Sequence, residues 1–145
     1  MSRFVAGLLV SIAVAAGAPT VARADDPAST APFRAKLVSN VAVARKGATS
    51  LGAIAKHAPP KGISADERKA WGEQSKAFAA GAARLAALKA RMDTVLAKAN
   101  APASELAQVN LELANTQQDI ENESQRCSLG AATKARHDSA MRSIR

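Results

Sequence analysis

Apolar residues recur at every seventh position through much of the second half of the chain, between polar and charged neighbours. The first series of these positions is Trp71, Phe78, Leu85, Met92 and Ala99. Heptad spacing of this kind is typical of a helix that packs along one seam against another helix. Ser64 and Glu67 precede the series at the spacing of a capping box. We therefore predict a long helix that starts at Ser64 and runs to about Asn100.

A second apolar series follows a turn at residues 100–102, where Pro102 disfavours helix at the preceding residue and readily starts a new one. Two matching series joined by a short turn predict an antiparallel helical hairpin. The hairpin seam is defined by the larger members of both series: Trp71, Phe78, Leu85, Met92, Leu106, Leu113 and Ile120. Cys127 continues the second series, as a buried small hydrophobe or as a site of intermolecular pairing. Beyond it, Gly130 is expected to kink or interrupt the helix.

Charged residues beside the two series support the same pairing. An antiparallel register predicts three pairs of opposite sign: Lys98 with Glu105, Arg91 with Glu112, and Arg84 with Asp119. An exposed ion pair contributes only about 0–1 kcal/mol. Their predicted role is therefore to fix the register and orientation of the helices.

A shorter and weaker helical pattern occupies residues 33–61, ahead of the hairpin. Phe33, Leu37 and Val41 recur at helical spacing, and the prolines at 59 and 60 end the pattern. This segment has no acidic residue and six basic ones: Arg34, Lys36, Arg45, Lys46, Lys56 and Lys61. We therefore predict a basic amphipathic helical segment here. Residues 25–32 contain Pro, Ser and Thr and are predicted to form a flexible lead, whereas the hairpin takes up residues 62–145.

The first 24 residues have the three-part layout of a secretory signal peptide. Arg3 supplies the basic start, residues 4–18 form an almost unbroken apolar run, and residues 22–24 read Ala-Arg-Ala, a small-residue cleavage site. The apolar run is shorter than the roughly 20 residues that span a bilayer. Cleavage after Ala24 is therefore favoured over a membrane anchor, and we expect the protein in the periplasm or outside the cell.

The composition favours helices and gives little sign of catalysis. The chain has no Tyr, one Trp and three Phe, so a sheet is disfavoured. We therefore predict an all-α fold, an antiparallel coiled-coil hairpin preceded by a shorter basic helix. His57 and His137 are the two histidines, and neither has a second ligand at the spacing of a metal site. We predict no catalytic, cofactor-binding or metal-binding residues, and a protein that is not an enzyme.

The net charge of +8 suggests a class of partner. We predict that the six basic residues of the 33–61 segment bind an anionic lipid or cell-wall polymer, the alternative being that they only keep the chain soluble. Export and the scarcity of aromatic residues argue against nucleic acid. The small supply of large apolar residues suggests that the core is completed by association. We therefore expect a homo-oligomer or a helical protein partner, held through exposed apolar stripes.

From about Lys69 to Arg145 the chain resembles the subunit of a type III secretion needle. The resemblance rests on a helical hairpin of similar length with an Asn/Pro/Ser turn, which here reads Ala-Asn-Ala-Pro-Ala-Ser at residues 99–104. It implies packing into a homopolymer. The sequence thus predicts an exported structural or interaction protein of the cell envelope that associates with itself. One alternative is a periplasmic helical chaperone or a binder of anionic envelope components, and a second is a subunit of a secretion-related helical polymer.

Overall fold

The computed structural model describes residues 27–145, and the predicted signal peptide lies outside this range. The described residues form α-helices joined by short connections, which confirms the predicted all-α class. The helices are α1 (Pro27–Ala55), α2 (Ala65–Ala97), α3 (Ala103–Arg126) and α4 (Ala131–Ile144). Within residues 27–145, no helix has the length and apolar character that crossing a membrane requires.

Helices α2 and α3 form the predicted antiparallel hairpin. All seven residues of the hairpin seam are buried, and every one except Trp71 belongs to a single hydrophobic core. Gly81 interrupts the seam of α2 for a packing reason, since a Cβ at this position would come within 2.9 Å of the Ile120 side chain. The glycine therefore lets α2 and α3 approach closely.

The ion pairs beside the seam follow the predicted register near the turn and depart from it farther away. Lys98 contacts Glu105 and Arg91 contacts Glu112, each at 2.6 Å, as predicted. The third prediction is wrong, because Arg84 pairs with Glu123 at 2.6 Å instead of Asp119. A straight helix drifts by about 20° per heptad from a strict seven-residue repeat. The drift accumulates with distance from the turn and brings the carboxylate of the next helical turn to Arg84.

Helix α1 is longer than the predicted basic segment at its N-terminal end. It begins at Pro27, so residues 27–32 are helical and the predicted flexible lead is wrong for this part of the chain. Proline is well tolerated at the first helical position. Pro32 removes one backbone hydrogen bond, but Thr30 and Leu37 are both buried against the bundle. Tertiary packing therefore outweighs the local preference of these residues for a turn.

The core is completed within one chain by the two outer helices. Helix α1 contributes Leu37, Ala44 and Leu51, each with no exposed surface, and α4 contributes Met141 and Ile144. The chain turns back after α3, so that α4 lies along the first part of α2 and the last part of α1. The bundle thus has four helices at one end and three at the α2–α3 turn. The hairpin seam is thus covered by α1 and α4 within one chain.

Two leucines of α3 provide a matched test of this packing. Leu113 is 5 % exposed in the core, whereas Leu111 is 60 % exposed on the outer face of the same helix. We expect Leu113→Ala to lower the free energy of unfolding by about 2–5 kcal/mol, because it removes buried methyl groups and leaves a cavity. Leu111→Ala should change it by less than about 0.5 kcal/mol. Urea unfolding of both variants checks the prediction, and similar losses would contradict the burial of Leu113.

Candidate functional site

The predicted anion-binding residues divide into one structural arginine and five free cations. The half-buried guanidinium of Arg34 donates to the carbonyl oxygens of Leu96 at 3.2 Å and Ala99 at 2.9 Å, and also to that of Lys98. These groups lie at the C-terminal end of α2, where a cation interacts favourably with the helix dipole. Arg34 therefore caps α2 and holds α1 against it.

The other five predicted residues form the basic surface, which is defined as Lys36, Arg45, Lys46, Lys56 and Lys61. All five are exposed. Within residues 27–145, none of them forms an ion pair, whereas six cations elsewhere in the bundle do so. With 3.6 residues per turn, Lys36, Lys46 and Arg45 spread across the full width of the exposed side of α1. The structure therefore presents these charges without a neutralising partner of their own.

A second arginine, which sequence reasoning did not single out, is buried where α4 meets α1 and α2. Arg136 is 6 % exposed. Its guanidinium donates to the carbonyl oxygens of Trp71 at 3.0 Å and Ile54 at 2.6 Å, and to the Ser75 hydroxyl at 2.9 Å. The guanidinium carbon lies 4.1 Å from the centre of the Trp71 ring and 5.3 Å from that of Phe78. These contacts tie three helices to one side chain.

Burial lowers the pKa of Arg136 to about 10, so the side chain keeps its charge at neutral pH. No carboxylate of the described residues pairs with it. The Trp71 and Phe78 rings and three oxygen acceptors stabilise the cation in part. The sequence does not indicate this role, because Arg136 is one of several C-terminal cations and no local pattern distinguishes the buried one from the exposed ones.

Glu67 has a different partner from the one that the capping box predicts. Ser64 accepts a hydrogen bond from the Glu67 backbone at 3.1 Å, as expected. The Glu67 carboxylate, however, accepts from the backbone N–H groups of Ala132 at 2.9 Å and Thr133 at 3.3 Å. These groups start α4, where free N–H donors and the helix dipole favour an anion. Because α4 folds back over α2, the Glu67 carboxylate caps the N-terminus of α4.

A polar network lies inside the bundle between α2, α3 and α4. The Ser124 hydroxyl lies 2.7 Å from His137 Nδ1, and the Gln74 amide donates to the Thr133 carbonyl at 3.0 Å. The residues of this network are buried, and Ser124 has no exposed surface. A substrate cannot reach its hydroxyl, so the serine–histidine contact links helices and does not form an accessible nucleophile.

Cys127 occupies the C-cap position of α3 and does not continue the seam as a helical residue. It is half-buried and forms no disulfide. Burial raises the pKa of its thiol, and the charges of Glu73 and Glu123 raise it further. Since the thiolate is the reactive form of cysteine, this environment suppresses nucleophilic reactivity.

The described residues contain no group of three or more His, Cys, Asp or Glu side chains that could hold a metal ion. His57 is exposed, and its backbone carbonyl accepts a 2.9 Å hydrogen bond from the Trp71 ring nitrogen. Comparisons with profiles of protein families, with curated proteins and with solved structures return no match to this chain.

Two glycine substitutions test the contact between Glu67 and α4. A Cβ at Gly130 would lie 2.3 Å from the Glu67 carboxylate, whereas a Cβ at Gly72, on an exposed part of α2, would meet nothing within 4 Å. We expect Gly130→Ala to displace the carboxylate and cost about 0.5–2 kcal/mol, the usual effect of a lost cap. Gly72→Ala should instead stabilise the protein by about 0.5–1 kcal/mol. Thermal and urea unfolding measure both, and a stabilising Gly130→Ala would contradict the proposed cap.

Proposed function

We propose that this protein is an exported, non-enzymatic interaction protein of the cell envelope that binds an anionic component through its basic surface. The observation that carries the proposal is the set of five exposed cations that have no ion-pair partner within residues 27–145 and no acidic residue in their own segment. Other exposed cations outside this segment, such as Lys69 and Lys134, lie on helices that also carry Asp or Glu residues, whereas residues 33–61 carry none. The charge of the basic surface is thus available to a partner.

Three of the five cations, Lys36, Arg45 and Lys46, lie on a docked helix, and this favours binding to an extended polyanion. Helix α1 is anchored by Leu37 and Leu51, which are fully buried. Its cations therefore keep a fixed spacing and lose little backbone freedom on binding. A basic residue near an anionic membrane surface contributes about 1 kcal/mol. Several such contacts together give useful affinity for an anionic lipid surface or a cell-wall polymer, although each contact is weak.

Self-association is the competing proposal, and the packing of the chain limits the surfaces that it can use. The hairpin seam is buried within one chain, so it is not available for association in this conformation. Four large apolar residues are exposed in the described part of the chain: Phe33, Val38, Leu111 and Leu129. A helical polymer related to secretion needles would have to use other surfaces or displace α1 and α4. We therefore rank binding of an anionic envelope component first.

A charge-matched pair of variants tests the binding surface. The first replaces all five residues of the basic surface by Gln, and the control replaces five exposed cations of α2 and α4 by Gln. The control positions are Arg68, Lys69, Lys76, Lys134 and Arg142. We expect the first variant to lose at least about tenfold affinity for phosphatidylglycerol vesicles or lipopolysaccharide, while the control loses much less. A tenfold loss of affinity corresponds to about 1.4 kcal/mol of binding free energy.

Salt dependence completes the binding experiment. Binding of the wild-type chain should weaken steeply between low salt and about 0.5 M, because added ions screen exposed charges. Equal losses in the two variants would mean that net charge alone drives binding. If neither the substitutions nor the salt concentration changes the binding affinity, the basic surface does not bind the anion and serves only to keep the protein soluble.

The export part of the proposal has its own test. The mature protein should start at Asp25, after removal of the segment that ends in Ala22-Arg23-Ala24. Intact mass and N-terminal sequencing of protein recovered from the periplasm or the medium measure this directly. Recovery of a chain that retains Met1 from the membrane fraction would instead make residues 4–18 an anchor.

A further inference from the structure

An open pocket of about 350 Å³ lies where α4 meets the last turn of α1. This volume is at the lower end of the range for small-molecule sites, about 300–1,000 Å³. Ile54, Pro60 and Ala135 provide apolar lining, and Trp71 provides an aromatic one. The polar lining includes Arg136, the buried cation described above. His57 and Ser139 complete the polar lining, so the pocket combines an apolar wall with a few polar groups, as ligand sites do.

The hydrogen bonds of Arg136 leave part of its guanidinium unused. Nη1 donates to the Trp71 carbonyl, and Nη2 donates to the Ile54 carbonyl and the Ser75 hydroxyl. Nε has no hydrogen-bond partner although it is buried. A guanidinium carries five N–H donors, so Nε–H and one N–H of Nη1 are left without a protein acceptor. Because Nε is inaccessible, the Nη1 group is the one that a ligand would meet. A buried charge without a counterion is costly, and an anion beside it would recover much of this cost.

We propose that this pocket binds a small organic acid, whose carboxylate pairs with Arg136 and whose apolar body lies against Trp71, Ile54 and Pro60. A hydrogen bond between a guanidinium and a carboxylate is charge-assisted and therefore roughly twice as strong as one between neutral groups. This site differs from the basic surface, although Lys56 and Lys61 of that surface adjoin the lining residues His57 and Pro60.

A purely structural Arg136 gives a different expectation. Its contacts with α1 and α2 already explain why α4 docks, and a side chain that serves only this purpose would not distinguish a carboxylate from a neutral analogue. The two roles therefore separate in a binding measurement. Variants of Arg136 itself are poorly suited to this test, because removal of its interhelical hydrogen bonds can unfold α4.

The fluorescence of Trp71 provides a direct readout, since it is the single tryptophan of the chain and its ring lies 4.1 Å from the Arg136 guanidinium carbon. The full chain is titrated with hexanoate at constant ionic strength, with hexanamide as the neutral control. We expect a saturable change with a dissociation constant on the order of 1 mM, together with a rise in Tm. Hexanamide should bind at least about tenfold more weakly, which is about 1.4 kcal/mol.

Substitutions at the mouth of the pocket link this signal to the site. Ala135→Phe fills the pocket, whereas Ala114→Phe adds the same ring to an exposed position on α3. Ala135→Phe should weaken hexanoate binding at least about tenfold, and Ala114→Phe should leave it within about twofold. Ser139→Leu narrows the same pocket from the next turn of α4 and serves as a second variant. Circular dichroism verifies that each variant is folded.

The possible outcomes decide the proposal and separate it from the proposed function. A response that is equal for hexanoate and hexanamide, or the lack of any saturable response, would overturn it. Full hexanoate affinity in folded Ala135→Phe and Ser139→Leu would also overturn it. A variant with Gln at Lys36, Arg45 and Lys46 alone, which leaves the cations beside the pocket in place, should keep its hexanoate affinity. Failure of one proposal therefore leaves the other standing.

Discussion

The ends of α-helices carry backbone groups that have no partner within the helix, and in this bundle side chains from other helices supply several of the missing partners. Arg34 of α1 binds the last carbonyls of α2, and Glu67 of α2 binds the first N–H groups of α4. Arg136 of α4 binds a carbonyl in the last turn of α1, and Gln117 of α3 binds one at the end of α4. Because each cap reaches across an interface, the length of a helix and its position in the bundle determine each other.

This mutual dependence matters because the core is built largely from small and medium-sized residues. The chain has three Phe, one Trp and no Tyr, and glycine or alanine occupies many helix positions. Small side chains leave the contact surfaces smooth and define the axial position of a helix poorly, whereas directional hydrogen bonds at its ends define it well. The buried links between Ser124 and His137, and between Gln74 and Thr133, act in the same way inside the bundle. Polar contacts thus provide the specificity that a core of larger residues would supply by shape.

The sequence predicted the parts of the structure whose signal is local and periodic. The seam from Phe78 to Ile120 and the two ion pairs nearest the turn depend on spacing alone, so they could be read from the residues. The pairing of Arg84 with Glu123 could not be predicted from the sequence, because it depends on the accumulated drift between the helical period and the heptad. The start of α1 at Pro27 could not be predicted either, since it depends on how Thr30 and Leu37 pack against distant segments.

In the candidate sites, too, local features could be predicted from the sequence, whereas contacts between distant residues could not. An acid-free run of basic residues is visible in any sequence, and five of its six members are indeed exposed and unpaired within the described chain. Arg34 is the exception, because its partners are carbonyl groups more than sixty residues away. The burial of Arg136 was hidden for a related reason. Its environment is created by the return of α4 toward α1, and no local pattern marks the point where a chain turns back.

The hydrogen bond from Arg136 to Ile54 joins residues 82 positions apart, whereas the ion pair from Lys98 to Glu105 spans only seven. Loop closure costs more entropy for distant contacts, and chains rich in such contacts fold more slowly. The hairpin of α2 and α3 can therefore form from neighbouring residues soon after they are synthesised. Helix α1, although made first, cannot complete its contacts until α4 has been made. Its apolar face is therefore without its final cover throughout the synthesis of the intervening chain.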